Sequence, residues 1–266
     1  MNPLDWDLGN LPGGIPWGGV DEAGRGAWAG PVVAACAILD RATASRWGHV
    51  LREARDSKLI APDKRAAMAS ELKMILPCWA VAEVDNMAID RENILEASLL
   101  AMRLAVGRCS LQPRILLVDG NRAPRTGLAE RLVVDGDALS CAIACASILA
   151  KVHRDTLLEE LDPVLPGYGF KRHKGYGTPA HRKALAELGP SPAHRLSYAP
   201  VAALQRPDAA CRGPLAATLE ACASVAELQA WVATALRPAY ARLRLEWIEE
   251  LRGRYAERLA FLAGRE

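Results

Sequence analysis

The chain has 266 residues, a hydrophobic share of 51% and a net charge of +2. That length can bury one large core plus an appendage. No apolar run reaches the roughly 18–20 residues of a spanning helix, so no membrane partner is expected. The near-neutral charge excludes a polycationic surface, and affinity for nucleic acid would have to come from local patches. The seven cysteines include no C-x-x-C pair and are expected to be buried, reduced thiols. Cys141 and Cys145 are one helical turn apart but lack companion ligands. The first residues carry acids and no basic leader, which predicts a cytoplasmic protein.

Residues 1–14 form a Gly/Pro-rich lead with little expected structure. Gly18-Gly-Val-Asp-Glu-Ala-Gly-Arg-Gly26 then closes an apolar run with paired carboxylates, Asp21 and Glu22, before a glycine-arginine-glycine turn. Paired carboxylates beside a backbone-exposing loop suit a hard divalent cation next to a phosphate. Residues 31–39 return as a strand, which makes a hairpin with an acidic tip. Neighbours in a regular strand point to opposite faces. Asp21 and Glu22 therefore share a site only if the strand ends or twists there.

Residues 41–58 are charged and end in Asp56-Ser-Lys58. Helical spacing covers 62–75, a strand 78–84, and a helix 90–106. Two short β runs follow. Residues 114–118 end in Asp119-Gly-Asn121, and residues 131–134 end in Asp135-Gly-Asp137. This alternation predicts an α/β fold with a central sheet. Asp119 and Asp137 fall just past the carboxyl ends of strands, the usual ligand edge of an open sheet. Taken alone, each Asp-Gly pair reads first as a plain turn.

From 140 to about 161 the pattern is helical. Ser147, Lys151 and Asp155 lie four apart and drift by about 40° per step along one face. They are either a solvent stripe with a Lys–Asp pair or a functional face. Pro166 to Thr178 mixes aromatic, basic and glycine residues, a composition that can meet phosphates and stack on a base or sugar. His173, His181 and His194 have no metal-ligand spacing and predict a structural or phosphate-side role.

Together these motifs resemble the ribonuclease HII family over about 17–201. The matching residues are Gly19-Val-Asp-Glu-Ala-Gly-Arg-Gly26, Asp56-Ser-Lys58, Asn93-Ile-Leu, Val118-Asp-Gly-Asn121 and Gly136-Asp-Ala138. Ala146-Ser-Ile-Leu-Ala-Lys-Val152 with Arg154-Asp155, His173-Lys-Gly-Tyr-Gly-Thr178 and His194-Arg195 complete the set. The resemblance implies an RNase H-like mixed sheet flanked by helices. It implies cleavage of RNA in RNA–DNA hybrids, and of duplex DNA on the 5′ side of a single embedded ribonucleotide. Its catalytic and metal-binding acids would be Asp21, Glu22, Asp119 and Asp155, holding two Mg2+ or Mn2+ ions during catalysis. Gly24, Arg25 and Gly26 would read the 2′-hydroxyl, with Tyr176 packed on the ribonucleotide. Lys58, Ser147 and Lys151 would contact phosphate or orient the site.

Some positions depart from the family pattern. Ala27-Trp28 replace Pro-Leu. Leu59, Asp135 and Leu139 stand at usually basic positions, which removes positive charge around the duplex groove and predicts weaker substrate binding. The competing readings are another RNase H-like nuclease acting on DNA, and a non-catalytic hybrid-binding protein.

The expected division is a catalytic unit over 1–204 and a helical extension over 205–266. In the extension, residues 205–213 read as a linker and Ser224-Val-Ala-Glu227 as a capping box. An apolar stripe from Tyr240 to Leu262 must be buried, either against the catalytic unit or against a protein partner. A monomer is expected.

Overall fold

The structure, a computed structural model, describes residues 1–205 and 211–264. Helix α1 (Pro3–Asn10) precedes the hairpin of β1 (Trp17–Ala23) and β2 (Val32–Leu39). Then come α2 (Arg41–Leu51), α3 (Pro62–Ile75), β3 (Cys78–Val84), α4 (Asn86–Glu92), α5 (Ile94–Gly107), β4 (Ile115–Asp119) and β5 (Glu130–Val133). Helix α6 (Gly136–Leu139) leads into the long α7 (Cys141–Val164), followed by α8 (Phe170–His173), α9 (Pro179–Leu188) and α10 (Ala199–Ala202). The extension holds α11 (Arg212–Ala221), α12 (Val225–Trp231), α13 (Arg237–Ala239) and α14 (Leu245–Ala263).

Among the described residues the five strands form one sheet in the order β3-β2-β1-β4-β5. β1 pairs antiparallel with β2 and parallel with β4. Every residue of β2 is buried, because both faces of the sheet are covered. Val33, Ala35, Ala37 and Leu39 join the core beneath α7, while Val32, Ala34, Cys36 and Ile38 join the core beneath α5. This is the period-2 alternation of a strand. α7 is buried continuously from Cys141 to Ala150, as expected of a helix that is apolar all round. It crosses β1 at Gly19, where a Cβ would fall 2.1 Å from the Ala142 carbonyl carbon. That glycine lets helix and strand backbones touch, and so it sets the height of α7 over the acidic end of β1.

Several elements differ from their sequence expectation. The lead is not structureless. Asn2 caps α1 through the Leu4 N–H, and buried Asp7 accepts from the Trp17 indole at 3.2 Å and the Ala142 N–H at 3.0 Å, tying α1 to the start of α7. The helix expected over 90–106 is broken at Asn93, which takes φ 77° and caps α5 through the Leu95 and Glu96 N–H groups. The extension packs back on the rest of the chain. Leu228, Trp231, Tyr240, Ile248, Leu251 and Leu262 share one buried cluster with Met87, Leu158, Leu185 and Val201. Ser224 caps α12 as expected, although Glu227 reaches back to the Ala223 N–H. Most of the expected linker, residues 206–210, lies outside the described residues.

Candidate active site

The parallel register between β1 and β4 ends at Val20 opposite Val118. One step further along, Asp21 and Asp119 stand side by side on the face that carries α7. β1 does not end at its acids. It stays paired with β2 through Ala23 opposite Val33, so by alternation Glu22 points away from Asp21. The two still line one cleft, because β4 stops at Asp119. Beyond that point β1 has a free edge, and side chains of both faces reach the same space around it.

That cleft measures about 450 Å³. Asp21, Glu22, Asp119 and Asp137 supply its carboxylates, and Ser57, Lys58, Ser147 and Lys151 its polar wall. The Gly24-Arg25-Gly26 turn and Tyr176 form its rim. Asp119 is oriented by the Gly136 N–H at 2.8 Å. Gly136 must itself be small, since a Cβ there would meet the Asp119 carboxylate at 2.9 Å. Asp21 accepts a hydrogen bond from its neighbour, the Glu22 N–H, at 2.7 Å, and the nearby Ser147 hydroxyl favours its charged form. The Ser147 hydroxyl lies 3.1 Å from that of Ser57, coupling α7 to the Asp56-Ser57-Lys58 turn. Arg65 fixes that turn from below through the Ser57 and Ile60 carbonyls.

The electrostatics are those of crowded negative charge. Burial pushes the Asp21 carboxyl well above the usual carboxylate range, and the charges of Glu22 and Asp119 add to it. Burial raises Glu22 to about 7; Arg25 opposes that shift, from 3.3 Å away, and Asp119 reinforces it. Asp137 is raised by burial and then by Asp56 and Asp119. Burial works to lower the Lys58 pKa, but Asp56, Asp137, Asp21 and Asp119 outweigh it and the net shift is upward. Lys58 stands 3.8 Å from Asp137.

Asp155 is not among the residues lining this cleft. It sits two turns beyond Ser147 on α7, about 12 Å along the axis. Its carboxylate is occupied by Lys151 at 2.7 Å and by Arg65 at 3.4 Å. Asp137, which read first as a turn residue, stands in the cleft instead. Its Gly-Asp-Ala motif directly after a strand was the available signal. The other sequence-predicted residues, Gly24, Arg25, Gly26, Lys58, Ser147, Lys151 and Tyr176, are brought together.

The family description Ribonuclease HII matches residues 18–201. A ribonuclease HII of Rhizorhabdus wittichii is 49% identical over 189 residues, which cover 71% of this chain and 90% of that protein. The chain belongs to the ribonuclease HII family. A second relative, from Albidiferax ferrireducens, is 45% identical over 203 residues, covering 76% and 93% of the two chains. Among solved structures, the ribonuclease H2 of Pyrococcus horikoshii aligns with a TM-score of 0.62 at 26% identity, over 71% of this chain and 96% of that one. The RNase HII of Archaeoglobus fulgidus, solved in a complex with PCNA, gives 0.55 at 28% identity over 65% and 88%. The enzyme is thus a metal-dependent endonuclease of the ribonuclease H class, acting on RNA–DNA hybrids.

The donor set of the cleft fits a divalent cation. Carboxylate oxygens are the ligands that hard cations take, and repulsion among buried carboxylates is what a cation relieves. Among the described residues no three ligating side chains already close on one point.

Two residues of the matching motifs, to which sequence reasoning gave no role, support the rim. Arg154 and Arg195 are both fully buried. Arg154 donates to the carbonyls of Pro31, Lys174 and Ala29. Arg195 donates to those of Gly30, Arg25 and Pro31. Gly24, at φ +97°, leaves the room Arg154 needs, since a Cβ there would lie 2.0 Å from its Nε. Arg195 thereby pins the glycine-arginine-glycine turn through the Arg25 carbonyl, while Arg154 packs beneath Gly24 and ties the Ala29–Pro31 backbone to the Lys174 carbonyl.

Proposed function

We propose that the enzyme cleaves the RNA strand of RNA–DNA hybrids and also nicks duplex DNA on the 5′ side of a single embedded ribonucleotide. The products carry 5′-phosphate and 3′-hydroxyl ends. Removal of misincorporated ribonucleotides and RNA primers follows from that activity. What supports the reading most directly is the grouping of Asp21, Glu22, Asp119 and Asp137 under a rim of Gly24–Gly26 and Tyr176.

In this reading Asp137, rather than Asp155, is the fourth acid, with Asp21, Glu22 and Asp119 as the others. The pairing of Asp155 with Lys151 and Arg65 gives it the role of holding Lys151 in place. Two Mg2+ or Mn2+ ions held by the four acids would activate a water and stabilise the leaving 3′ oxygen. The chain's own residues do the rest. The carboxylates orient the scissile phosphate's surroundings, and Lys58 and Lys151 attract the phosphates. The backbone of Gly24–Gly26 approaches the 2′-hydroxyl closely because glycine has no side chain. Tyr176 packs on the sugar and excludes water from it.

Residues 1–204 are the catalytic unit in this reading, and 205–266 are a helical layer added to it. The protein acts as a cytoplasmic monomer. A protein partner of the extension would dock on the faces it leaves exposed.

A labelled duplex carrying one ribonucleotide, beside an all-DNA duplex, tests the reading with Mg2+ or Mn2+. Cleavage is expected only at the ribonucleotide and only on its 5′ side. Asp119→Asn and Asp137→Asn should each lower kcat at least about 100-fold, and Asp155→Asn much less. A fully active Asp137→Asn protein with an inactive Asp155→Asn protein would return the fourth position to Asp155. Equal cutting of the all-DNA duplex would make the protein a DNA nuclease.

A further inference from the structure

Tyr176 stands on the cleft rim in a loop with no regular structure of its own. Its ring lies near two cations, with Lys151 Nζ 5.4 Å and the Arg154 guanidinium carbon 5.3 Å from the centroid. Its backbone bridges to Ala27, just beyond the Gly24–Gly26 turn, and Trp28 N–H donates to Gly175 C=O at 2.8 Å. The flanking glycines are obligatory. A Cβ on Gly175 would meet the Ala29 carbonyl at 2.6 Å, and one on Gly177 the Trp28 indole at 2.3 Å. Beneath the loop lie His173, His181 and His194, all buried.

The protons of this histidine layer can be placed by elimination. Ser191 N–H points at His194 Nδ1 from 2.9 Å. A backbone amide only donates, so Nδ1 carries a lone pair and the His194 proton is on Nε2. The Ser191 hydroxyl, at 2.8 Å, can act as a second donor there. His194 Nε2 faces His181 Nε2 at 3.0 Å. One of these must donate, so His181 Nε2 accepts and its proton sits on Nδ1, 3.0 Å from the Tyr176 carbonyl. At His173 the same logic holds. Gly175 N–H donates to Nδ1 at 3.2 Å, leaving Nε2–H to donate to the Tyr168 carbonyl at 2.8 Å. Burial keeps the pair neutral, holding His181 down to about 4 and His194 to about 3. A proton added to either would set two N–H groups head to head.

We propose that His194 and His181 are positioning residues for Tyr176, through a one-way chain of hydrogen bonds from the Ser191 amide through both imidazoles to the Tyr176 carbonyl. Neither imidazole lines the cleft. The chain sets the height of the tyrosine over the ribonucleotide and so contributes to selection of the 2′-hydroxyl. The role in selection rests on the functional reading above, whereas the chain itself does not.

Two measurements test it. In the full-length protein with 15N-labelled histidine, long-range 1H–15N NMR at neutral pH should show His194 protonated on Nε2 and His181 on Nδ1. The opposite tautomers, or an imidazolium at either site, would overturn the chain. The second measurement compares His181→Ala with His181→Asn, whose amide nitrogen takes the place of Nδ1 and keeps a donor toward Tyr176. On the single-ribonucleotide duplex, with folding checked by circular dichroism, His181→Ala should lower kcat/KM about 10- to 100-fold, and His181→Asn should recover most of that. His181→Ala should add little to Tyr176→Ala, since one residue acts through the other. Multiplying losses, or an Asn variant no better than Ala when both are folded, would sink the positioning role. Cleavage by the unmodified protein checks the functional reading separately.

Discussion

Asp21 and Glu22 work against the fold whenever they are ionised without a counter-charge. The folded-state pKa of Glu22 is about 7, above its ordinary 4.5. The folded protein therefore binds more protons than the unfolded chain between those values. Stability associated with Glu22 is fully present below pH 4.5 and is lost as pH rises through about 7. Asp21 acts in the same direction. Divalent ions reverse this only where the carboxylates are free to ligate. In thermal melts, millimolar Mg2+ should raise Tm over the EDTA-treated protein clearly at pH 8 and by much less at pH 5.5. An equal shift at both pH values would mean that the ion stabilises the protein somewhere other than these acids. The residue scale is also where the sequence expectation and the cleft lining part, since Asp137 lines the cleft and Asp155 does not. Asp155 and Asp137 both belong to family-like motifs. Which of them faces the cleft depends on the distance along α7 and on Lys151 and Arg65.

At the scale of elements, the contact of β1 with α7 decides whether a site exists. Gly19 is a strand glycine whose only visible sequence role is a place in a motif. In three dimensions it is the point where two backbones meet. Gly19→Ala should destabilise the protein by at least the upper end of the roughly 1–3 kcal/mol typical of overpacking. It should also shift Ser147 relative to Asp21, so that activity falls faster than stability. Urea denaturation beside a cleavage assay would show this, and an unchanged midpoint would refute the close approach. Some elements were legible from local pattern alone. α3 begins at a proline, which favours a first helical turn, and β3 alternates buried residues with half-buried or exposed ones. Their expected limits, 62–75 and 78–84, coincide with the observed ones. The break between α4 and α5 was hidden, because Asn93 adopts a left-handed φ that its neighbours' helical spacing does not signal. α1 was hidden by its Gly/Pro-rich surroundings, and its anchor Asp7 finds its partners 10 and 135 residues away.

For the molecule as a whole, the extension is a second core wall. The cluster it completes contains Leu158 of α7 and Leu185 of α9. A chain ending at residue 204 should melt several degrees lower and tend to aggregate. Its folded fraction should still cleave, since every residue lining the cleft lies before 204. A truncated chain with an unchanged Tm would mean that the layer contributes nothing to the fold.

The sequence by itself determined the α/β alternation, the hairpin with its acidic tip and the family, because period, turn chemistry and motif order are local properties. Only the tertiary structure decided which carboxylates meet and why Asp21 and Glu22 share one cleft. It also decided where the extension goes and what holds Tyr176. Those outcomes depend on strand register, helix height and hydrogen bonds between residues far apart in the chain, none of which leaves a periodic trace in the sequence.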